Sequence, residues 1–323
     1  MNATKILYIF TRTPLHVGAG ASVGAIDQPV IRERHTNYPV IPASSLKGSF
    51  ADQWAVNELS GQGNRLEVPE DSDDPKVTHR DWLFGSGNDK LAFAGALQFA
   101  EAKLLAFPVR SAKGSFAWIT SPLILRRAAR DGVLPAESIK NLIEPTDEQA
   151  IFISGKDSKI ALEDKLVLED YTFSRKNEGA EENDLRFGDL GKQLAGLLTD
   201  DVWKEVGDRL VILSNGMMSF FARTACEVAQ HVRIDDETGT AVKGGLFNQE
   251  NVPSETLFYS VVRGFAERTP RSTVRRRPAE KALEEFEEKL KGESVFQFGG
   301  DASTGLGYCT VQFQKNGKGR TNQ

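Results

Sequence analysis

The sequence is poor in the residues that staple, ligate or anchor a chain. Its two cysteines, Cys226 and Cys309, stand far apart and in no metal-like spacing. They read as small buried apolar side chains in a reducing compartment. None of the four histidines, His16, His35, His79 and His231, is grouped with cysteines or carboxylates at ligand spacing, which argues against a structural zinc site. No Ser/His/Asp nucleophile arrangement can be traced. No run approaches the ~18 consecutive apolar residues of a membrane span. The opening MNATKILYIF, with one lysine and no long apolar core, does not read as a signal peptide. A soluble, cytoplasmic protein with no membrane contact is expected. Charge of one sign is not in great excess either. The formal net charge of −5 does not advertise nucleic-acid binding, so such a role would rest on local basic strips or on basic neighbours in an assembly. There is no internal repeat.

What is present is an ordinary globular composition, 40% hydrophobic and 26% charged. At 323 residues the chain is one elaborated domain or two small ones. Residues 6–10, ILYIF, are apolar throughout and read as a central strand. Ser44 or Ser45 is a good N-cap for a helix reaching about residue 59, in which Leu46, Phe50 and Trp54 recur every fourth residue. Residues 60–90, rich in glycine and acid, read as a surface insertion with a short anchored segment at Trp82, Leu83 and Phe84. Strand patterns follow over 95–100, 103–109 and 116–120, then a helix opened by Ser121 and Pro122. Residues 178–184 read as flexible, with helical fragments over 190–198 and 200–207. Ser214 or Asn215 caps a helix with a Met217, Met218, Phe220 and Phe221 face. Residues 232–242 read as a hairpin continuing to a polar tip at 248–254. A helix after Pro278 and a strand–loop–strand over 295–313 complete the chain. Strands and helices alternate without regular βαβ spacing, which favours an α+β fold over a doubly wound one.

Four stretches carry candidate chemistry. The first, TPLHVGAGASVGAIDQP over residues 13–29, is a loop with three glycines that holds His16 and Asp27. A carboxylate beside such a loop can bind a divalent cation or orient a 2′-hydroxyl, and a histidine can serve as general base or bond a phosphate. A lone Asp in a loop is also a common turn residue. The second is the helix start Ser44-Ser45-Leu46-Lys47-Gly48, whose free amides, dipole and lysine favour an anion; the plainer reading is a capped helix with a solvated lysine. The third is GGDASTGLG, residues 299–307, containing Gly300, Thr304 and Gly305. Its glycines permit an anion-binding nest, though its spacing is neither that of a dinucleotide fingerprint nor of a Walker loop, and an ordinary hairpin turn reads equally well. The fourth is the basic run 268–277, which includes Arg275 and suits phosphate contacts or a solvated loop.

Joined together, these blocks become specific. TPLHVGAGASVGAIDQPVIRERHTNYPVIPASSLKGSF resembles the N-terminal region of RAMP-superfamily backbone subunits of type III-B CRISPR effectors, the family that supplies subunit four of the Cmr complex. The likeness continues through FAGALQFAEAKLLAFPVRSAKGSFAWITSPL and resumes at ARTACEVAQHVRIDDETGTAVKGGLFNQENVPSETLFYSVV. GGDASTGLGYCTV looks like the glycine-rich loop of that superfamily. The resemblance covers roughly residues 5–59, 84–127 and 209–313 and is weakest over 60–83 and 131–207.

The resemblance implies a single RAMP domain over residues 1–323: a modified ferredoxin-like (RRM-type) palm, inserted fingers at about 60–90 and 131–207, a thumb β-hairpin at about 233–254, and the glycine-rich loop at 299–307. It implies copies of the chain stacked head to tail on a CRISPR guide RNA, alongside other subunits of a type III-B complex. Complementary target RNA would be cleaved beside each thumb in a metal-dependent reaction. The family's catalytic Asp falls on Asp27, with a divalent cation, Mg²⁺ or Mn²⁺, as cofactor, and its nearby His falls on His16. Ser44, Ser45, Lys47 and Gly48 match the segment that holds the guide backbone, and Gly300, Thr304, Gly305 and Arg275 join them as expected RNA contacts. Arg233 opens the thumb, and Glu250 is its candidate second acid. Three other readings stay open. One is a non-catalytic guide-binding scaffold with Asp27 structural. Another is a metal-independent guide-processing ribonuclease using His16 as base. The last is an unrelated small-molecule enzyme built on the glycine loops.

Overall fold

The computed structural model describes residues 3–20, 24–54, 78–87, 92–153, 156, 158–176, 180–269 and 276–314, with the backbone alone over 180–186. Most of the 60–90 insertion, Arg275 and the tail from residue 315 lie outside the described residues. Strand Ala3–Thr11 runs through the middle of an 11-stranded sheet. It pairs antiparallel with Leu257–Gly264 on one side, Tyr8 opposite Tyr259, and with Tyr308–Phe313 on the other, Ile9 opposite Val311. Leu257–Gly264 pairs in turn with Lys103–Ser111 and with Leu97–Phe99. Helix Ala43–Gln53 follows the first strand, and helix Ala279–Gly292 follows Leu257–Gly264.

Residues 6–10 of the first strand are apolar without a break because both faces are covered there. Leu7 stands opposite Phe313, whose ring meets Phe286 of helix Ala279–Gly292 at 5.4 Å. Phe10 points to the other face and meets Trp203 edge-on at 5.6 Å. Leu46, Phe50 and Trp54 are all buried, as their spacing predicts. Phe50 centres a cluster with Phe99, Phe286, Phe296 and Phe298, at centroid distances of 5.4, 4.9, 5.1 and 5.3 Å. Ser121 and Ser214 cap helices Pro122–Arg130 and Asn215–Thr224. Both cysteines are free, and burial pushes the Cys226 thiol up to about 12 and raises that of Cys309 as well. No helix among the described residues is long and apolar enough to cross a membrane.

Three boundaries differ from the sequence reading. Helix Ala43–Gln53 starts ahead of Ser44 and Ser45 and has no side-chain cap. Ile41 is tied to Ala102 by two backbone bonds of 3.1 and 2.9 Å, and Pro42, at φ −56° and ψ 146°, turns the chain directly into the helix. The two serines therefore sit within the first turn, and the helix ends at Gln53 instead of near residue 59. Next, residues 180–195 form one helix, Ala180–Ala195, where the sequence reads as a flexible stretch followed by a helical fragment; a polar half-helix has no apolar stripe to read.

The hairpin is the third difference. It comprises Glu227–Ile234 and Ala241–Asn251, so it begins before Arg233 and ends before residue 254. Residues 248–251 are its root and not its tip, because Asn248 pairs with Gln230 and Asn251 with Glu227. The tip is the turn at Asp235, whose carboxylate accepts from the backbone of Glu237 and Thr238. A run of polar residues reads as an exposed end, yet Gln249, Glu250 and Asn251 are buried, held by hydrogen bonds in place of apolar contacts. Along its length the ribbon bares Val228 at the root and Val232, Ile234 and Leu246 further out, all between 49% and 67% exposed.

Candidate functional site

The chain leaves its central strand at Thr11 and forms the first glycine loop, which is stitched on two sides. Toward the hairpin, Leu15 exchanges backbone bonds of 2.8 and 2.9 Å with Val252. Toward the second glycine loop, Gly300 N–H donates to the His16 carbonyl at 2.9 Å and Gly307 N–H to the Pro14 carbonyl at 2.8 Å. Gly299 permits that approach. Its φ is +78°, and a Cβ there would lie 2.0 Å from the His16 carbonyl oxygen, so any side chain would displace backbone.

Asp27 is exposed at the hairpin root, where Asn248 grips it. Asp27 N–H donates to Asn248 Oδ1 at 2.8 Å, and Asn248 N–H donates to Asp27 Oδ2 at 2.9 Å. Asn248 Nδ2 also donates to the Ala25 carbonyl at 3.0 Å. Beside them Gln28 N–H donates to the Asn248 carbonyl at 3.1 Å, and Glu250 N–H to the Gln28 carbonyl at 2.9 Å. The segment around Gln28 thus lies along the hairpin root as a short parallel partner of Gln249. Asp27 Oδ1 has no partner among the described residues.

His16 is buried just beneath, with Nδ1 2.7 Å from the Glu250 carbonyl oxygen. A carbonyl only accepts, so Nδ1 carries a proton and donates it to this bond. Glu250 is buried at 3% exposure. Its Oε1 accepts from Arg32 Nη2 at 2.6 Å and its Oε2 from Val30 N–H at 3.0 Å. Arg32 in turn donates to the carbonyls of Asn37 (2.8 Å) and Ala222 (2.6 Å) and lies 3.2 Å from Cys226 Sγ. With both oxygens occupied, Glu250 ties hairpin, loop and helix Asn215–Thr224 together and presents no open carboxylate.

The structure brings Asp27, His16 and Glu250 together at the hairpin root, with the 299–307 loop against them. Asp301 Oδ2 accepts from Gln249 Nε2 at 2.8 Å. The amides of Gly300, Thr304 and Gly305 are already donated, to the carbonyls of His16, Asp301 and Ala302, so they do not form an open anion nest. The helix start is anchored separately, through Ile41 to Ala102. There Ser44, Lys47 and Gly48 are exposed. The amides of Ala43, Ser44 and Ser45 precede the first helical bond, Leu46 to Pro42, and have no acceptor among the described residues. Arg233 is exposed on the ribbon, beside an irregularity between Val232 and Ile234. Sequence reasoning missed Arg32 and the grip of Asn248; the only signal for either was an unassigned polar residue in an otherwise patterned stretch.

The site thus stands on an antiparallel centre, with one glycine loop laid against the connection that follows the first strand. The chain belongs to the RAMP superfamily, whose family model matches residues 9–310. It is 31% identical over 311 residues to the CRISPR system Cmr endoribonuclease Cmr4 of Pyrococcus furiosus, covering 95% of this chain and 94% of that one. Its fold resembles the crystal structure of oligomeric Cmr4 from Pyrococcus furiosus, with a TM-score of 0.65 at 25% identity over 98% of this chain and 100% of that one. It also resembles a chain in the cryo-EM structure of the Type III-B Cmr-beta bound to cognate target RNA. There the TM-score is 0.64 at 19% identity, over 96% of this chain and 97% of that one.

Proposed function

We propose that this chain is a backbone subunit of a cytoplasmic, type III-B RNA-guided CRISPR effector. It holds the guide RNA along a head-to-tail stack of its own copies, in company with other subunits, and cleaves complementary target RNA at regular intervals through Asp27. The observation that carries this reading is the state of Asp27. One carboxylate oxygen is fastened at the root of an exposed hairpin and the other is open, in a chain alike over 95% of its length to a relative named as a Cmr endoribonuclease.

The architecture supports the assignment of parts. The order strand, helix, strand, strand, helix, strand at the centre supports a ferredoxin-like palm. In this reading residues 1–323 are one domain, residues 131–207 serve as fingers and the hairpin is the thumb. Its bare Val228, Val232, Ile234 and Leu246 offer an apolar flank to an RNA duplex or a neighbouring copy. Base pairing reads the sequence while the protein holds the backbone. The first turn of helix Ala43–Gln53 suits a guide phosphate through its three open amides and Lys47.

Cleavage follows from positioning. The thumb holds the target strand so that a 2′-oxygen lies in line with the adjacent phosphorus, and such alignment is a large part of the rate. The 2′-oxygen bonds to phosphorus and loses its proton, the P–O5′ bond breaks, and the departing 5′-oxygen gains a proton. The products are a 2′,3′-cyclic phosphate and a 5′-hydroxyl. Asp27 Oδ1 is the open acceptor for the 2′-hydroxyl, and His16 holds the loop beneath it. Among the described residues no three ligating side chains converge. The open carboxylate oxygen of Asp27 is a hard donor that suits Mg²⁺ or Mn²⁺, whose remaining ligands would be drawn from phosphate and water. Such an ion would supply charge stabilisation at the phosphate and the departing oxygen.

The test is Asp27→Ala in the assembled complex, with labelled target RNA. Target binding should persist while periodic cleavage falls by about 100-fold or more, and chelation should stop the unaltered complex until Mg²⁺ is restored. Undiminished periodic cleavage by the variant would sink the reading.

A further inference from the structure

We infer that Asn248 is the positioning residue for Asp27: its side chain fixes the loop backbone that carries the reactive carboxylate, at the Asp27 N–H and the Ala25 carbonyl, so that its own backbone N–H meets one carboxylate oxygen and the other is left pointing outward. This inference rests on the reading of Asp27 given above. Asp27 is exposed, so packing does not select its rotamer. Its backbone and its carboxylate find the same partner. Asn248 Oδ1 takes the Asp27 N–H, the Asn248 N–H takes Asp27 Oδ2, and Asn248 Nδ2 takes the Ala25 carbonyl two residues upstream.

The arrangement is reciprocal, like a capping box closed across two distant segments. It needs a side chain with both an acceptor and a donor at the length of a carboxamide. Alanine has neither, aspartate lacks the donor and brings a like charge against Asp27, and glutamine is one methylene too long. The neighbouring charges do not substitute for it. Glu250 and Arg32 are paired with each other, and Asp301 is bonded to Gln249. Asn248 leaves Oδ1 as the free oxygen of Asp27 and fixes its direction relative to the ribbon. The reactive group therefore travels with the hairpin, so that seating the hairpin on the RNA and aiming the carboxylate are one event.

The experiment compares Asn248→Ala, Asn248→Asp and Asp27→Ala in the assembled complex, under single turnover at saturating target RNA. Asn248→Ala is expected to cleave the same phosphates roughly 10- to 100-fold more slowly, with target affinity within about twofold of the unaltered complex. Asn248→Asp keeps the shape and the acceptor for the Asp27 amide, so it tests the idea even if the alanine variant fails to assemble. It too is expected to lose rate and not affinity. A second readout needs no chemistry. In metal-free buffer, hydrogen exchange at the Asp27 amide should quicken roughly tenfold in Asn248→Ala, while amides of strand Ala3–Thr11 stay unchanged. The inference is overturned if an assembled Asn248 variant cleaves at the full rate. A rate loss matched by an equal loss of affinity, or unaltered Asp27 exchange, would overturn it as well. Full cleavage by Asp27→Ala would instead remove the underlying reading of Asp27, so the two failures are distinct.

Discussion

The Glu250–Arg32 pair is a buried ion pair with one job, holding three segments in register. Removing one member of such a pair leaves the other charge uncompensated, at a cost of roughly 3–5 kcal/mol. Glu250→Ala should therefore lower thermal stability sharply. Glu250→Gln, which still accepts from Val30 N–H, should fall between it and the unaltered chain; an alanine variant melting with the unaltered chain would mean the tie carries no load. Glu255 responds to pH. Burial pushes its carboxyl up to about 7, with Asp200 adding to the shift against Arg12. Its folded pKa lies above the unfolded value of 4.5, so its stabilisation is complete below that value and is lost as pH rises through 7. Glu255→Gln should thus raise the melting temperature at pH 8 and change it little at pH 5. The gain should be on the order of 1 kcal/mol once solvent at this half-buried group is allowed for; equal melting at pH 8 would refute it. Asp27 and His16 stood out as polar residues in a glycine loop, with their roles implied by the family resemblance, and the structure places both at the hairpin root. Arg32 and Asn248 did not stand out, because their partners lie 218 and 221 residues away and no local period encodes such a contact.

Among the elements, helix Ala43–Gln53 shows how a correct stripe can accompany a misplaced start. Leu46, Phe50 and Trp54 declared the buried face, but the entry was set by Pro42 and the Ile41–Ala102 bridge, which a serine cap signal does not register. The shift moves Ser44 and Ser45 into the first turn, beside the open amides. Lys47 is exposed there, with no ion pair among the described residues. Lys47→Glu should leave stability within about 0.5 kcal/mol. It should weaken guide RNA binding about tenfold and lower the salt dependence by about one unit of slope. A slope identical to that of the unaltered chain would exclude Lys47 from the RNA contact. The hairpin was legible from its turn but not in its extent. Its polar root is buried by hydrogen bonds, and burial of that kind leaves no hydrophobic pattern to read.

At the scale of the whole molecule, the α+β class followed from irregular alternation of strands and helices, and the central strand from its apolar run. The strand order did not follow, because nothing in the sequence of Ala3–Thr11 names its neighbours. Those neighbours, Leu257–Gly264 and Tyr308–Phe313, both come from the last quarter of the chain. The consequence falls on biosynthesis. The apolar strand leaves the ribosome about 300 residues ahead of its second flank, Tyr308–Phe313. At ~5–20 residues per second this is a wait of roughly 15–60 s. During that time the nascent chain carries an apolar strand with one edge unpaired, which is open to non-native strand pairing until Tyr308–Phe313 arrives.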